Sequence, residues 1–172
     1  YEYANAGITY MSDDGSPRLS WIGQIKNSGN QPHAAHADMD LEFLGLEIAG
    51  NVTGKAEQAL ILGPKVDLLA RNEIRLAPYS KLTLDGGSVS SLRWLDIHPN
   101  ATLNGQGTIQ AVLYNQGSVI LTGREQTTLR LDGDYHQSDD GELIVTLAGD
   151  VTAFHVAGVA RLGGTLSIEI AD

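Results

Sequence analysis

The sequence predicts an all-β fold, and within that class a β-solenoid (parallel β-helix) with an irregular amino-terminal cap. Short segments of alternating polarity recur along the chain, and 20 of its 172 residues are glycine. Leu84, Leu103 and Leu121 lie 19 and 18 residues apart, and a glycine follows each of them two residues later. Strands that end in glycine at near-constant spacing are typical of stacked coils. A β-sandwich is the alternative, because short strands joined by Asp-Gly and Asn-Gly turns also fit it.

Composition narrows the class of protein further. The length suits one domain with a real core, and the net charge of −10 makes nucleic acid a poor partner, since binding it requires a basic face. No run approaches the roughly 20 apolar residues that a membrane helix needs, so no membrane insertion is expected. Cysteine is absent, which removes disulfides, thiolate nucleophiles and cysteine metal sites. The start at Tyr1 suggests a processed product or a piece of a longer chain.

The chain divides into two predicted regions. Residues 1–65 are expected to form an amino-terminal cap or small β lobe, and residues 66–172 the solenoid coils. Within the first region, 18–26 alternates in polarity after a turn-rich stretch, and 41–48 reads as a second strand. Residues 56–62 are open to a short helix as well as a strand.

From about Val66 the chain becomes regular. Its segments carry apolar residues two apart and are separated by Pro, Asn-Gly and Asp-Gly positions, as strands and corners of a solenoid require. The predicted strands are 74–76, 82–84, 92–97, 108–113, 119–121 and 129–131, then 143–147, 154–156, 160–162 and 166–170.

The last third resembles a known repeat. Tyr135, Gln137, Gly141 and Leu143, followed by residues 154–168, fit the pattern Tyr-x-Gln-x(3)-Gly-x-Leu-x-(Val/Ile)-x-Leu, then a loop and Leu-x-Val-x-Gly-x-Ala-x-Leu-x-Gly-Thr-Leu. This pattern is similar to the repeat of autotransporter-like passenger stalks and other exported bacterial β-solenoid proteins. The steps at 105–109 and 115–119 resemble these proteins too. The resemblance covers about residues 80–170, not 1–65, and Phe154 stands where an aliphatic residue is commoner.

The resemblance implies architecture more than activity. It implies a parallel β-helix located outside the cell or on its surface, with a structural or adhesive role. Such stalks carry adhesins, enzymes and plain spacers alike. The expected partners are other copies of the chain or flanking domains of a longer polypeptide, because the end coils of a solenoid expose sheet edges.

Candidate glycan contacts come from the few aromatic residues. Exposed aromatic rings provide flat apolar platforms with a polar edge, which suits sugar rings. Trp94 stands opposite in phase to Leu95 and Ile97, so it is expected to point outward beside Arg93. The other candidates are Trp21, Tyr79 and Tyr114.

The best metal candidate is the short cluster of His33, His36, Asp38 and Asp40. Imidazole and carboxylate ligands suit zinc or another first-row divalent cation. The segment is short and alanine-rich, and a solvated loop explains it as well. No cofactor is expected to be required. The only cofactor that these residues could hold is a divalent cation.

Three functions remain open from the sequence. The leading one is a non-catalytic extracellular structural or adhesive module, self-assembling or part of a larger exported protein. The second is a glycan-binding accessory module of a polysaccharide-degrading enzyme. The third is a small β-helix polysaccharide lyase or hydrolase, using a basic strip around Lys65, Arg71, Arg75, Lys81 and Arg93. No nucleophile elbow, phosphate-binding loop or His-Glu-x-x-His motif is present, so a non-catalytic role is favoured.

Overall fold

The computed structural model of the chain is a parallel β-solenoid of about five turns. It describes residues 8–11, 18–25, 33–35, 39–48, 58–123, 128–148 and 153–170, and within these ranges it contains strands and turns and no helix. The predicted fold class is confirmed. The β-sandwich alternative is wrong, because strand pairing in the described ranges is parallel throughout, with one antiparallel exception.

The described ranges hold sixteen strands. They are β1 (Ile8–Met11), β2 (Arg18–Ile25), β3 (His33–Ala35), β4 (Met39–Ile48), β5 (Gln58–Leu62), β6 (Val66–Ala70), β7 (Ile74–Leu76), β8 (Ser80–Ile97), β9 (Thr102–Asn115), β10 (Ser118–Gly123), β11 (Leu129–Leu131), β12 (Tyr135–Gln137), β13 (Glu142–Leu147), β14 (Phe154–Val156), β15 (Ala160–Arg161) and β16 (Thr165–Ile170).

Each turn of the solenoid runs across three faces. The first face stacks β3, β5, the start of β8, the start of β9, β10, β13 and β16. The second stacks β2, β4, β6, the middle of β8 and β9, β11 and β14. The third stacks the ends of β2 and β4, then β7, the ends of β8 and β9, β12 and β15. The long strands β8 and β9 bend around the corners and belong to all three.

The true repeat differs from the predicted one. Leu84 lies opposite Gly105, whereas Leu103 lies opposite Leu82, so the 19-residue spacing joined residues of two different columns. The 19- and 18-residue spacings of these leucines therefore do not measure the length of a turn, although the fold class that they indicated is right. From Leu82 onward, one column of the first face stacks Leu82, Leu103, Val119, Leu143 and Leu166, separated by 21, 16, 24 and 23 residues. Register shifts between β8 and β9 account for part of these differences.

The core is a stack of inward side chains, one layer per turn. Alternate residues of each strand point inward, so β8 contributes Leu82, Leu84, Val89, Leu95 and Ile97, all buried. Similar aliphatic residues lie above and below them on neighbouring strands. Full burial of such a side chain contributes roughly 1.5–3 kcal/mol, so the stack holds the turns together.

Three corners use the same proline turn. Proline takes the second position, the third residue has a positive φ, and the first carbonyl accepts a hydrogen bond from the fourth amide at 3.3, 3.1 and 3.0 Å. Proline pre-sets the φ of the second position in such a turn. The positive-φ residues are Lys65, Tyr79 and Asn100, at 66°, 64° and 64°.

Later corners are held by buried amides instead. Asn115 lies inside the corner after the third face and donates from Nδ2 to the Tyr135 hydroxyl (3.0 Å) and to the Glu142 carbonyl (2.9 Å). The Tyr135 hydroxyl donates to Gln137 Oε1 (2.7 Å). Gln137 Nε2 in turn donates to the Gly163 and Thr165 carbonyls at 2.5 and 2.9 Å. These side chains tie three successive turns to one another.

Parallel stacking begins before residue 66. β4 pairs with β6 and β7, and β5 pairs with β8, all in parallel register. β2 pairs with β4 in the same way, while β1 lies antiparallel against the other edge of β2. The division at residue 65 stays a prediction as a domain boundary, but strands on both sides of it belong to one stack.

Candidate functional site

The outer surface of the third face carries a strip of aromatic and basic side chains. We call Arg93, Trp94, Tyr114 and His136 the aromatic strip. Trp94 pairs with Val112, Tyr114 lies two residues further along β9, and His136 pairs with Tyr114 on the next strand. The four side chains therefore lie on three successive turns.

The contacts within the aromatic strip are ring contacts. The Arg93 guanidinium carbon lies 5.6 Å from the centre of the Trp94 ring, a cation–π distance. The Tyr114 and His136 rings stack with centroids 5.2 Å apart and an angle of 17° between their planes. Tyr114 is exposed and Trp94 half-buried, so ring surface is open to solvent in both pairs.

A corner in β8 positions Arg93 and Trp94. The pairing of β8 with β9 breaks between Ser90 and Trp94. Within this break the Ser91 hydroxyl lies 2.5 Å from the Asn72 carbonyl, and the Arg93 amide donates to Ser91 Oγ at 3.3 Å. The pairing resumes at Trp94, and Leu95 is fully buried, so Trp94 takes the outward phase.

Charged and amide groups border the aromatic strip. Asp96 and Arg161 lie in the same outward column as Tyr114 and His136. Gln116 Nε2 is 3.4 Å from Asp96 Oδ1. Apolar ring faces beside hydrogen-bonding groups match the two surfaces of a sugar, its C–H face and its hydroxyls. The arrangement can therefore contact a ligand through ring surfaces and through hydrogen bonds.

The structure places two of the five predicted glycan residues elsewhere. Tyr79 is exposed at the corner between β7 and β8, where its amide donates to the Asn100 carbonyl (3.1 Å). Trp21 lies on β2, with its backbone opposite Phe43, and its side chain is outside the described part of the structure. Trp94, Arg93 and Tyr114 are thus brought to one face, and Tyr79 is not in the strip.

The predicted metal cluster falls largely outside the described residues. His36 and Asp38 lie there entirely, while His33 is on β3 in the first face and Asp40 on β4 in the second. The cluster stays a prediction. Elsewhere in the described ranges, no group of three or more histidine, aspartate or glutamate side chains could hold a metal ion.

Basic residues proposed for an enzyme groove are distributed over several faces and corners. Arg71 pairs with Glu42. Arg75 lies between Glu47 at 3.8 Å and Glu73 at 3.7 Å. Arg71 links two neighbouring turns, and Arg75 contacts one glutamate on the neighbouring turn and one two residues away in sequence. Lys81 lies on the first face. The described residues do not gather them into one basic strip.

Sequence reasoning missed a shallow groove on the first face. It has a volume of about 470 Å³ and lies over residues of adjacent turns, most of them outward, together with the buried Leu84. The Thr83 hydroxyl donates to Asn104 Oδ1 at 2.5 Å on its floor. The sequence contained a signal for this groove, because the outward positions in its lining alternate with the inward leucines. The groove is lined by Ile61, Thr83, Leu84, Asp85, Asn104, Gly105, Gln106, Ile120 and Thr122.

The repeat motif of the last third has an interior role. Tyr135 is fully buried, its ring meets Phe154 edge-on at 5.3 Å, and burial raises the pKa of Tyr135 to about 12, although the hydrogen bond from Asn115 acts in the opposite direction. Gln137 and Gly141 form the next corner, where an added Cβ on Gly141 would come within 2.5 Å of the Asn115 carbonyl oxygen. The motif therefore specifies how turns stack.

A search of the described residues finds no helix with the length and apolarity that a membrane span requires. Comparisons with protein-family models, with curated proteins and with solved structures found no match to this chain.

Proposed function

We propose that this chain is a non-catalytic extracellular β-solenoid module with a structural or adhesive role. The observation that carries the proposal is the set of hydrogen bonds that its buried polar side chains make. Asn115, Tyr135 and Gln137 direct their hydrogen bonds to one another and to the backbone of neighbouring turns. Polar groups buried in this way rigidify the stack.

Outward charged groups support the same role. Asp134 Oδ1 accepts from the Val159 amide on the next turn (2.8 Å), and Arg130 pairs with Asp132 at the same corner between β11 and β12 (2.7 Å). Arg71 and Glu42 join two turns. In each case a charged side chain holds a corner or joins turns, which is what a rod needs.

The non-catalytic part of the proposal is tested on a broad panel of polysaccharides. We expect neither unsaturated products nor new reducing ends above a protein-free control, with a known lyase and a known hydrolase as positive controls. Product that appears in proportion to purified protein would overturn this proposal and favour the β-helix lyase or hydrolase. The location is tested by labelling intact producing cells with an antibody, and labelling only after lysis would contradict an extracellular role.

Glycan binding is the second candidate, and the aromatic strip is the observation that favours it. Trp94 with Arg93 and Tyr114 with His136 place partly exposed rings on one outer face. A sugar chain lying across three turns would meet both pairs. This role is compatible with an adhesive module and with an accessory module of a polysaccharide-degrading enzyme.

A glycan array with matched variants tests this candidate. Wild type is expected to bind a subset of polysaccharides, and Trp94→Ala to weaken that binding about tenfold or more, since buried aromatic anchors dominate such contacts. Tyr79→Ala is the matched control, because it removes an exposed aromatic ring outside the strip. Equal loss in both variants, or no binding by wild type, would exclude the strip as a glycan site.

A further inference from the structure

Several bends and corners of the solenoid carry a dipeptide that is chemically reactive by itself. In Asp-Gly and Asn-Gly the second residue has no Cβ, so its amide nitrogen approaches the side-chain carbonyl carbon of the first residue without hindrance. Four such dipeptides lie in the described ranges, and Asp14-Gly15 lies outside them. Three of the four share the same two residues, so differences in their rates of reaction come from the surrounding structure. The four are Asp85-Gly86, Asn104-Gly105, Asp132-Gly133 and Asp140-Gly141.

Asp85-Gly86 is the most open of the four dipeptides. Asp85 and Gly86 are both exposed, which is true of no other pair among them. The pairing of β8 with β9 stops at Asp85, opposite Gln106, and resumes at Ser88. Gly86 therefore lies in a bulge, where the main chain turns from the first face to the second. The reaction requires local opening of the main chain, and such opening is easiest where the ladder is already broken.

The packing around the glycines separates the three Asp-Gly pairs further. The atoms nearest to an added Cβ on Gly86 would all belong to Pro64, at an ordinary contact distance of 3.6 Å. The same atom on Gly133 would overlap the carbonyl oxygen of Ala111 on the preceding turn. Gly141 is buried and lies similarly close to the backbone of the preceding turn. Among these glycines, Gly86 alone has room for the change in backbone torsion angles that ring closure needs.

From these observations we propose that Asp85 is a modification site, at which aspartate converts spontaneously to isoaspartate. The inference goes beyond the proposed function, because it concerns a reaction of the chain itself. The Gly86 amide nitrogen attacks Cγ of the protonated Asp85 carboxyl, and the amide proton leaves with the hydroxyl group as water. The product is a five-membered succinimide ring. Water then opens the ring: attack at Cγ restores aspartate, whereas attack at the former peptide carbonyl carbon breaks its bond to the Gly86 nitrogen and gives isoaspartate.

The product changes the bend between the first and second faces. Isoaspartate adds one methylene group to the main chain and leaves the carboxylate on a shorter side chain. Asp85 lines the groove on the first face, so the modification moves a charged group of that lining. Because Asp85 and Gly86 are both exposed, the longer main chain is accommodated without entering the core.

Asn104-Gly105 provides a contrast within the same groove lining. Asn-Gly ordinarily loses ammonia faster than Asp-Gly loses water at neutral pH, because ammonia is the better leaving group, and asparagine is accordingly the more labile residue. In the fold, Asn104 Oδ1 accepts from the Thr83 hydroxyl at 2.5 Å, and an added Cβ on Gly105 would overlap the Leu84 carbonyl oxygen. These contacts hold both residues of the dipeptide in place, so the structure is expected to slow the reaction there.

Heavy-oxygen labelling of the whole chain tests the proposal. Ring opening in water enriched in heavy oxygen adds one labelled oxygen to the product, and peptide mass spectrometry then locates the label. In neutral buffer, we expect labelling of Asp85 to be about tenfold or more faster than labelling of Asp132 and Asp140. In guanidinium chloride, which unfolds the chain, the three rates are expected to converge. Equal rates in the folded chain, or faster labelling at Asp132 or Asp140, would overturn the proposal.

Two variants of Asp85 sharpen the test. Asp85→Asn gives the chain the same dipeptide at positions 85 and 104, and ammonia loss is expected to be about tenfold or more faster at position 85. Asp85→Glu is the matched control, because it keeps the charge but would need a six-membered ring, so labelling at position 85 should fall to background. Ammonia loss at least as fast at Asn104 in the folded Asp85→Asn chain, or undiminished label in Asp85→Glu, would refute the proposal. Either result leaves the polysaccharide tests of function unaffected.

Discussion

The middle turns and the last described turn have the same design but different environments. Leu103 of a middle turn and Leu166 of the last turn occupy one column of the first face. Leu103 is fully buried and Leu166 is 47% exposed. The difference shows that a strand in this solenoid becomes buried through the turn that follows it, and that its own alternating sequence does not suffice.

The first prediction sets these two positions against each other and has the largest expected effect. Leu103→Ala should lower the free energy of unfolding by about 2–5 kcal/mol, since it leaves a cavity between two turns. Leu166→Ala should cost about half of that or less, because part of the side chain already contacts solvent. Urea unfolding measures both losses. Equal losses would show that the last turn is as closed as the middle.

The second prediction concerns how well Tyr135, at the later corner, is shielded from solvent. Burial raises the pKa of Tyr135 to about 12, from about 10 in the unfolded chain. As the pH rises, the unfolded chain therefore loses the Tyr135 hydroxyl proton before the folded chain does. The contribution of this group to the free energy of unfolding is fully present below pH 10 and is lost between pH 10 and 12. The loss amounts to roughly 2–3 kcal/mol.

Tyr135→Phe isolates this effect. The variant should be less stable at neutral pH, because it leaves Gln137 Oε1 without its hydrogen bond. It should also lose less stability than wild type between pH 10 and 12, as followed by chemical denaturation across that range. Parallel pH profiles for the two proteins would mean that Tyr135 is open to solvent, like the last turn.

The third prediction, and the smallest, concerns the proline corners of the earlier turns. Tyr79 has a φ of 64°, in a region that costs a side-chain-bearing residue about 1–2 kcal/mol. Tyr79→Gly relieves this strain but adds backbone entropy to the unfolded chain. We expect a net stabilisation of about 0.5 kcal/mol, measured as a rise in the thermal midpoint. A destabilised variant would show that the exposed ring itself holds the corner.

The sequence was sufficient for the fold class and insufficient for its register. Alternation and glycine punctuation predicted a solenoid, but Leu84 and Leu103 belong to different columns, because the turns vary in length. The outward phase of Trp94 followed from Leu95 and Ile97, since alternation fixes which side of a strand a residue takes.

Other features depend on contacts between distant residues. Tyr114 stacks on His136, and the side-chain amides of Asn115 and Gln137 donate hydrogen bonds to other turns. These contacts join residues about twenty or more positions apart. No local pattern gives such pairings until the length of each turn is known. For the same reason, the alternation in β16 looks like that of a buried strand, although the residues are exposed.

Residue-resolved hydrogen exchange tests the central claim most directly. The claim is that a strand of this solenoid becomes protected through the turn that follows it. We predict that the amides of Leu166, Ile168 and Ile170 in the last described turn exchange quickly, while those of β9 in the middle turns stay protected. Equal protection of β16 and β9 would contradict the claim.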